Sequence, residues 1–304
     1  MLFNKKNKYL TKRSKLLQRK QTIAAYLFLL PTLVFFATFV VVPMIIALVT
    51  SFFNYSSVKF DFVGIFNYIK AFNDPIFHIA LKNTIMIVVV AVPTVMGFSL
   101  WVASRVYKMT EIPQAFYRIV FYLPVVTGSV AVTVVWRWMF NKYNGLVNSL
   151  LTNFGIIEKG ISWFGSEETA IWIIIMILFT TSIGQPIVLY ISALNNVDKS
   201  VLEASDVDGA NEMQKFWQIK WPLIMPTTLY VVIITTINSF QIFALIQLLT
   251  SGGPNNSTQT IMYYIYYNVF KLDNFGFGNT MGIILVVIIG FISAIQFKLS
   301  NRKG

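Results

Sequence analysis

The chain has 304 residues, is 56% hydrophobic and 12% charged, and carries a formal charge of +12 at neutral pH. A soluble domain has roughly 25% charged residues, and a nucleic-acid-binding surface needs its cations clustered on such a domain; here they sit at the ends of apolar runs, which points to a membrane protein that binds no nucleic acid. The absence of cysteine excludes disulfides, thiolate chemistry and thiolate-ligated metals.

The chain opens on a basic segment, residues 1–22, that holds eight Lys and Arg in "NKKNKYLTKRSKLLQRK". A helix needs roughly 20 mainly apolar residues to cross the hydrocarbon core, because each backbone N–H and C=O must be paired within the segment. Six runs qualify, at approximately residues 23–51, 83–104, 118–139, 169–194, 222–249 and 277–297. The first is too long for the apolar core of a signal peptide and lacks a small-residue cleavage site at its end, so it is predicted to be a retained span. Cytoplasmic loops are enriched in Lys and Arg. One side of the six spans holds 17 of these cations, with Arg105, Lys108 and Arg118 among them, and the other holds seven, so both termini are predicted to be cytoplasmic. The basic N-terminus serves as a topology signal attracted to anionic lipid.

Along the spans, His78 is the only histidine and sits at the outer entrance of the second, where it supplies no metal site on its own. Arg137, between Trp136 and Trp138 at the outer end of the third span, reads as a snorkelling interface residue. The segment "GIIEKGIS", Gly155 to Ser162, has phosphate-loop glycine spacing but Ile161 where the Lys must stand, so ATP hydrolysis is not expected of this chain. Gly184-Gln185-Pro186 interrupts the fourth span with a helix breaker and an amide. No Asp, Glu or Lys lies deep in a span, which argues against an ion-coupled transporter.

Between the fourth and fifth spans lies "EASDVDGANEMQKFWQIKWPLIMP", residues 203–226. Ser200 and Glu203 fit a capping box that starts a helix, Asp208-Gly209 signals its end, and Asn211 with Gln214 fits the cap of a second helix. The product is a short acidic helical hairpin on the cytoplasmic face, a shape suited to a groove on a soluble partner. In the fifth span, Thr235, Asn238, Ser239 and Ile242 recur at helical spacing. That face either hydrogen-bonds to neighbouring helices or lines a cavity for a hydroxylated ligand. The fold class expected is all-α: a polytopic membrane protein with six transmembrane helices and a cytoplasmic coupling-helix hairpin.

The hairpin resembles the EAA motif of ATP-binding-cassette importer permeases, in which Glu-Ala-Ala is followed by Asp-Gly-Ala, then Phe, Ile and two Pro. Here the pattern reads Glu203, Ala204, Ser205, then Asp208, Gly209, Ala210, Phe216, Ile219, Pro222 and Pro226. Most of the chain is similar to the first of the two permeases of maltose-type carbohydrate importers. "LLPTLVFFATFVVVPMIIALVTSFFNY", "FVGIFNYIKAFNDPIFHIALKNT", "FYLPVVTGSVAVTVVWRWMFNKYNGLVN" and "LIQLLTSGGPNNSTQTIMYYIYYNVF" carry the likeness.

The resemblance implies a multi-pass protein of the bacterial cell membrane, laid out as residues 1–22, a permease domain over 23–299 with a coupling loop at 195–221, and a tail at 300–304. It implies a second six-span permease, two cytoplasmic ATPases that carry ATP and Mg, an extracellular solute-binding protein and a sugar cargo, with no cofactor in this chain. Glu203, Ala204, Ser205, Asp206, Asp208, Gly209 and Ala210 would dock on an ATPase. The family's sugar contacts fall on Gly184, Gln185, Ile187, Thr235, Asn238, Ser239 and Ile242; Ile187 and Ile242 are apolar where the maltose permease is polar, which argues against maltose itself. A glycerol phosphate cargo would call for a basic residue on the cavity, and none is evident. A secondary sugar transporter would need internal repeats and a coupling-ion site, and neither is found.

Overall fold

Residues 12–300 are described by the computed structural model. Residues 1–11 of the basic segment and 301–304 of the tail lie outside them. Helices α1 (Lys12–Phe36) and α2 (Val42–Thr50) run on through a single π-helical turn, followed by a small antiparallel hairpin of β1 (Phe53–Tyr55) and β2 (Phe60–Phe62) and a short α3 (Phe66–Asn73). Then comes α4 (Pro75–Val106), the element around which the rest is packed.

Helix α4 is well specified locally. Asp74 caps it by accepting from the backbone N–H of Ile76 and Phe77 at 2.8 and 3.3 Å, and Pro75 sits at the first helical position, where no N–H is needed. Its buried positions Phe77, Ala80, Thr84, Ile87, Ala91, Val95 and Ser99 recur every three or four residues, which is one face of a helix. Many are small, and small residues let backbones approach closely where lipid removes the hydrophobic drive between helices. Phe77 and Ala80 pack in a cluster with Ile261, Phe277 and Met281; Ile87 and Ala91 pack in a second with Ile174 and Ile246; Val95 and Ala103 pack in a third with Ile187, Tyr190, Ile224 and Val231.

The third apolar run departs from its expected single span. It forms α5 (Glu111–Val126) and α6 (Ser129–Met139), bent by 95°. Thr127 turns to an extended conformation at φ −76°, ψ 127°, and Gly128 follows it, so the hydrogen-bond ladder stops between the two helices. After α7 (Leu146–Asn153) the fourth run forms α8 (Ala170–Ser182) and α9 (Gly184–Asn195), bent by 40°. This break falls where Pro186 cannot donate to the carbonyl of Ser182.

Helices α10 (Lys199–Val207) and α11 (Glu212–Gln214) make the hairpin, and a π-helical turn over Lys215–Lys220 leads without a break into α12 (Trp221–Phe240). The fifth run is not one helix to residue 249 as expected. It is interrupted after Phe240, with Gln241 at φ −92°, ψ 14°, and resumes as α13 (Ala244–Leu249). A turn-rich loop leads to α14 (Ile261–Tyr266) and α15 (Phe275–Ser300). Asn83 of α4 ties that loop down by donating to the carbonyls of Asn256, Ser257 and Gln259 at 3.0 to 3.2 Å.

Among the described residues, four helical stretches are long and apolar enough to cross a membrane: Leu17–Thr50, Pro75–Val106, Glu212–Leu249 and Phe275–Leu299. The number is six if each bent pair counts as one span. The first stretch has none of its most apolar window buried, and its α2 end joins α15, where Asn279 Nδ2 donates to Thr50 Oγ1 at 2.7 Å.

Candidate functional site

The α12 face that carries polar groups meets α5, α8 and α9 around a cavity of about 140 Å3. Of the sequence-predicted residues, Gln185 of α9 and Thr235 and Asn238 of α12 line it together. The others do not. Gly184 is a packing position: a Cβ there would lie 2.3 Å from the Phe121 carbonyl oxygen, so its bare backbone is what lets α9 approach α5. Ile187 is fully buried against the α4 core. Ser239 is buried and off the cavity wall. Ile242 lies past the end of α12, where helical spacing no longer applies; it packs with Ile87 and Ile174, and its carbonyl accepts from Thr260 Oγ1 at 3.3 Å.

Sequence reasoning missed Thr181, Ser182 and Tyr230, which also line the cavity. Tyr230 was within reach, since 230, 234 and 238 continue the same helical row back by two turns. Thr181 Oγ1 is back-bonded to the carbonyls of Ile177 and Leu178, at 3.2 and 3.0 Å, and keeps its acceptor capacity for a ligand. The alternative of interhelical hydrogen bonding is met on a different face of α12, where Gln296 Nε2 of α15 donates to Thr236 Oγ1 at 2.9 Å.

A second, more open cavity of about 450 Å3 adjoins the first and shares Gln185 and Leu189 with it. Its other lining residues include Arg118 and Tyr122 of α5. The first cavity has no basic residue among its lining residues, and the cation stands on the wall of the adjoining one. Helix α5 begins at Glu111, seven residues before the apolar run was judged to start, so Arg118 lies two turns inside the helix.

The hairpin between α9 and α12 is built by its caps. Asp198 caps α10 rather than Ser200, accepting from the Ser200 N–H at 2.9 Å, and that bond holds the Asp198 carboxyl below the usual carboxylate range. The expected reach of Glu203 back to Ser200 is thus replaced; Glu203 is exposed on the helix. At the other end Gly209 adopts φ +77°. The Ala210 N–H donates to the Ser205 carbonyl at 3.0 Å and the Gly209 N–H to that of Asp206 at 3.1 Å, the paired bonds of a Schellman motif. Asn211 and Gln214 then exchange two 2.9 Å bonds as a capping box.

Behind the hairpin sits a charged strut. Glu212 meets Lys108, from the link between α4 and α5, at 2.5 Å, Lys215 at 3.4 Å and Lys220 at 3.9 Å. The bond to Glu212 holds the Lys108 ammonium above its usual value. Lys215 also pairs with Asp206, and Lys220 donates to Tyr107 Oη at 2.8 Å. Lys215 and Lys220 are both buried. The outer face of the hairpin exposes two large apolar side chains, Val207 at 89% and Met213 at 67%.

Comparison with known proteins gives consistent likenesses. A family model described as "Binding-protein-dependent transport system inner membrane component" matches residues 85–303. The chain is 33% identical over 288 residues to a probable ABC transporter permease protein, YesP, of Bacillus subtilis, covering 93% of this chain and 92% of that one. It is 30% identical over 296 residues to the lactose transport system permease protein LacF of Rhizobium radiobacter, covering 96% and 99%. The permease chain of a bacterial ABC transporter involved in the import of the acidic polysaccharide alginate shares the fold, with a TM-score of 0.80 at 22% identity and coverage of 95% and 99%.

Proposed function

The chain belongs to the family of binding-protein-dependent transport system inner membrane components, and from that premise we propose that it is a permease subunit of an ATP-driven importer of sugars, with oligosaccharides as cargo. The observation that carries this reading is the cavity between α5, α9 and α12, lined by the hydroxyls and amides of Thr181, Ser182, Gln185, Tyr230, Thr235 and Asn238. Its neutral donors and acceptors suit a cargo made of hydroxyls. The name of its lactose-transporting relative supports the same cargo class.

The remaining parts follow. Residues 23–299 cross the membrane six times, each bent pair counting as one span, with both termini in the cytoplasm as the distribution of cations favours. The loop at 195–221 docks on a cytoplasmic ATPase through the α10–α11 hairpin, whose exposed Val207 and Met213 suit an apolar groove. Glu203, Ala204 and Asp206 give that hairpin its outer helical surface, and Ser205, Asp208, Gly209 and Ala210 form its turn. ATP and Mg reside on two such ATPases, so chemistry is external to this chain. A second permease completes the path, and the unburied apolar window of the α1–α2 stretch offers it a face alongside lipid. A solute-binding protein delivers the cargo from outside.

Purification of the tagged chain from its native membranes, with mass spectrometry of the co-purifying proteins, tests this reading. A second permease and an ATPase are expected. A chain that comes out alone, or with further copies of itself only, overturns it.

A further inference from the structure

Arg118 is the one cation that faces the paired cavities among the residues lining them. Its Nε is buried without a hydrogen-bond partner, and none of the ion pairs among the described residues involves it. Arg118 is half-buried, and a guanidinium nitrogen closed off from water without a partner is one that a ligand in the cavity can satisfy. Elsewhere in this chain buried cations are satisfied: Lys215 by Asp206 and Glu212, Lys220 by Tyr107 and Glu212. Arg118, half-buried at a cavity wall, has no such partner.

From this we propose, resting on the sugar-importer reading, that Arg118 receives a carboxylate of the cargo and that the importer carries acidic, uronate-type oligosaccharides. Gln185 belongs to both cavities, so a sugar bound among Gln185, Thr235 and Asn238 extends toward Arg118. Tyr122 lines the wall beside Arg118 and offers a hydroxyl to the same ligand. The guanidinium fork matches a carboxylate with two parallel N–H···O bonds. Charge balance selects carboxylate over phosphate: one Arg among neutral side chains cancels a single negative charge, whereas a phosphate monoester near neutral pH brings nearly two.

The test uses the intact importer complex, purified through this chain, with its thermal midpoint followed against added digalacturonate, the methyl ester of digalacturonate, glycerol 3-phosphate and maltotriose. Digalacturonate is expected to stabilise at concentrations about tenfold lower than its ester. Arg118→Gln is expected to erase that difference and Arg118→Lys to keep part of it, while the second permease still co-purifies with both. Stabilisation by maltotriose and not by digalacturonate overturns the inference and leaves the sugar reading standing. Preference for glycerol 3-phosphate overturns both. Loss of the second permease from Arg118→Gln assigns the residue to the subunit interface and also overturns the inference.

Discussion

Gly209 gives the sharpest test of how the hairpin is built. At φ +77° it holds a left-handed conformation that costs an L-residue about 1 to 2 kcal/mol. A Cβ built there meets nothing within 4 Å, so substitution carries a conformational cost with no steric one. Asn tolerates this region, Ala bears the ordinary cost, and a β-branched residue bears more. The turn should therefore weaken in the order Gly, Asn, Ala, Val. For Gly209→Ala a loss of about 1 to 2 kcal/mol raises the open population of the turn roughly 5- to 30-fold. Hydrogen exchange of the Ala210 amide, which is bonded to the Ser205 carbonyl at 3.0 Å, reports that population directly. Sugar uptake by cells carrying the same variants should fall in the same order. Gly209→Pro, which loses the N–H that bonds to Asp206, should abolish uptake while leaving membrane insertion intact. If Val and Gly protect Ala210 equally, the turn does not depend on glycine's backbone and the reasoning fails. If Asn, Ala and Val all lose uptake equally with protection unchanged, the bare surface of Gly209 matters to a partner and its conformation does not.

Gly184→Ala should lower the thermal midpoint of the purified complex by an amount equivalent to roughly 1 to 3 kcal/mol, because the new Cβ meets the Phe121 backbone carbonyl and no flexible side chain can yield; an unchanged midpoint would mean α5 and α9 separate freely. Asn238→Leu keeps the cavity's volume and removes its amide, so sugar uptake should fall about fivefold or more with normal assembly; full uptake would remove Asn238 from the cargo path. Asn83→Leu should loosen the 250–260 loop by about 1 to 3 kcal/mol, read as faster proteolysis there, since three carbonyls lose their donor. The Asp198 carboxyl has a lowered value in the folded chain, so its capping contribution is present above the ordinary carboxylate range and is lost as pH falls through the lowered value. Hydrogen exchange in α10 should thus separate the native chain from Asp198→Ala at pH 7 and converge only when pH falls below the lowered value of the Asp198 carboxyl, beneath the ordinary carboxylate range; a difference that persists there would assign the effect to something other than the ionised cap.

Much of this architecture was legible because it is local. The Asp-Gly turn and the Asn211–Gln214 cap depend on residues within four positions of one another, and both form as their chemistry dictates. The same locality misassigned the first cap: Asp198 and Ser200 are both good cap residues two positions apart, and the choice between them follows from where α9 releases the chain. Helix breaks were legible only where a residue enforces them. Pro186 marks the bend between α8 and α9, and Gly128 with Pro124 nearby could have marked that between α5 and α6. Nothing among Gln241, Ile242 and Phe243 announces the end of α12, so helical spacing was carried one turn too far and gathered in Ile242. Arg118 was invisible for a different reason: counting charges by side of the membrane treats every cation as bound for water, and only the packing of α5 on α9 turns this one toward a cavity.

On the proposed reading, that packing also makes the hairpin and the cavity parts of one device. From Glu212 the chain is continuously helical through the π turn and α12 to Phe240, so about 39 Å of helix axis separate Glu212 from Asn238. A rigid helix cannot tilt at its lower end and stay still at its upper end. Glu212 locks that lower end to Lys108, which belongs to the link between α4 and α5, and so ties two of the cavity's walls to one base. Movement imposed on the hairpin is therefore shared by α12 and α5 together, with Tyr230, Thr235 and Asn238 on one wall and Arg118 and Tyr122 on the other. Glu212→Ala combined with Tyr107→Phe, which also removes the Lys220 bond, separates the two levers while leaving every cavity side chain in place. ATP hydrolysis by the assembled importer should then continue while sugar uptake falls, and an equal fall in both would place the strut in assembly rather than in transmission.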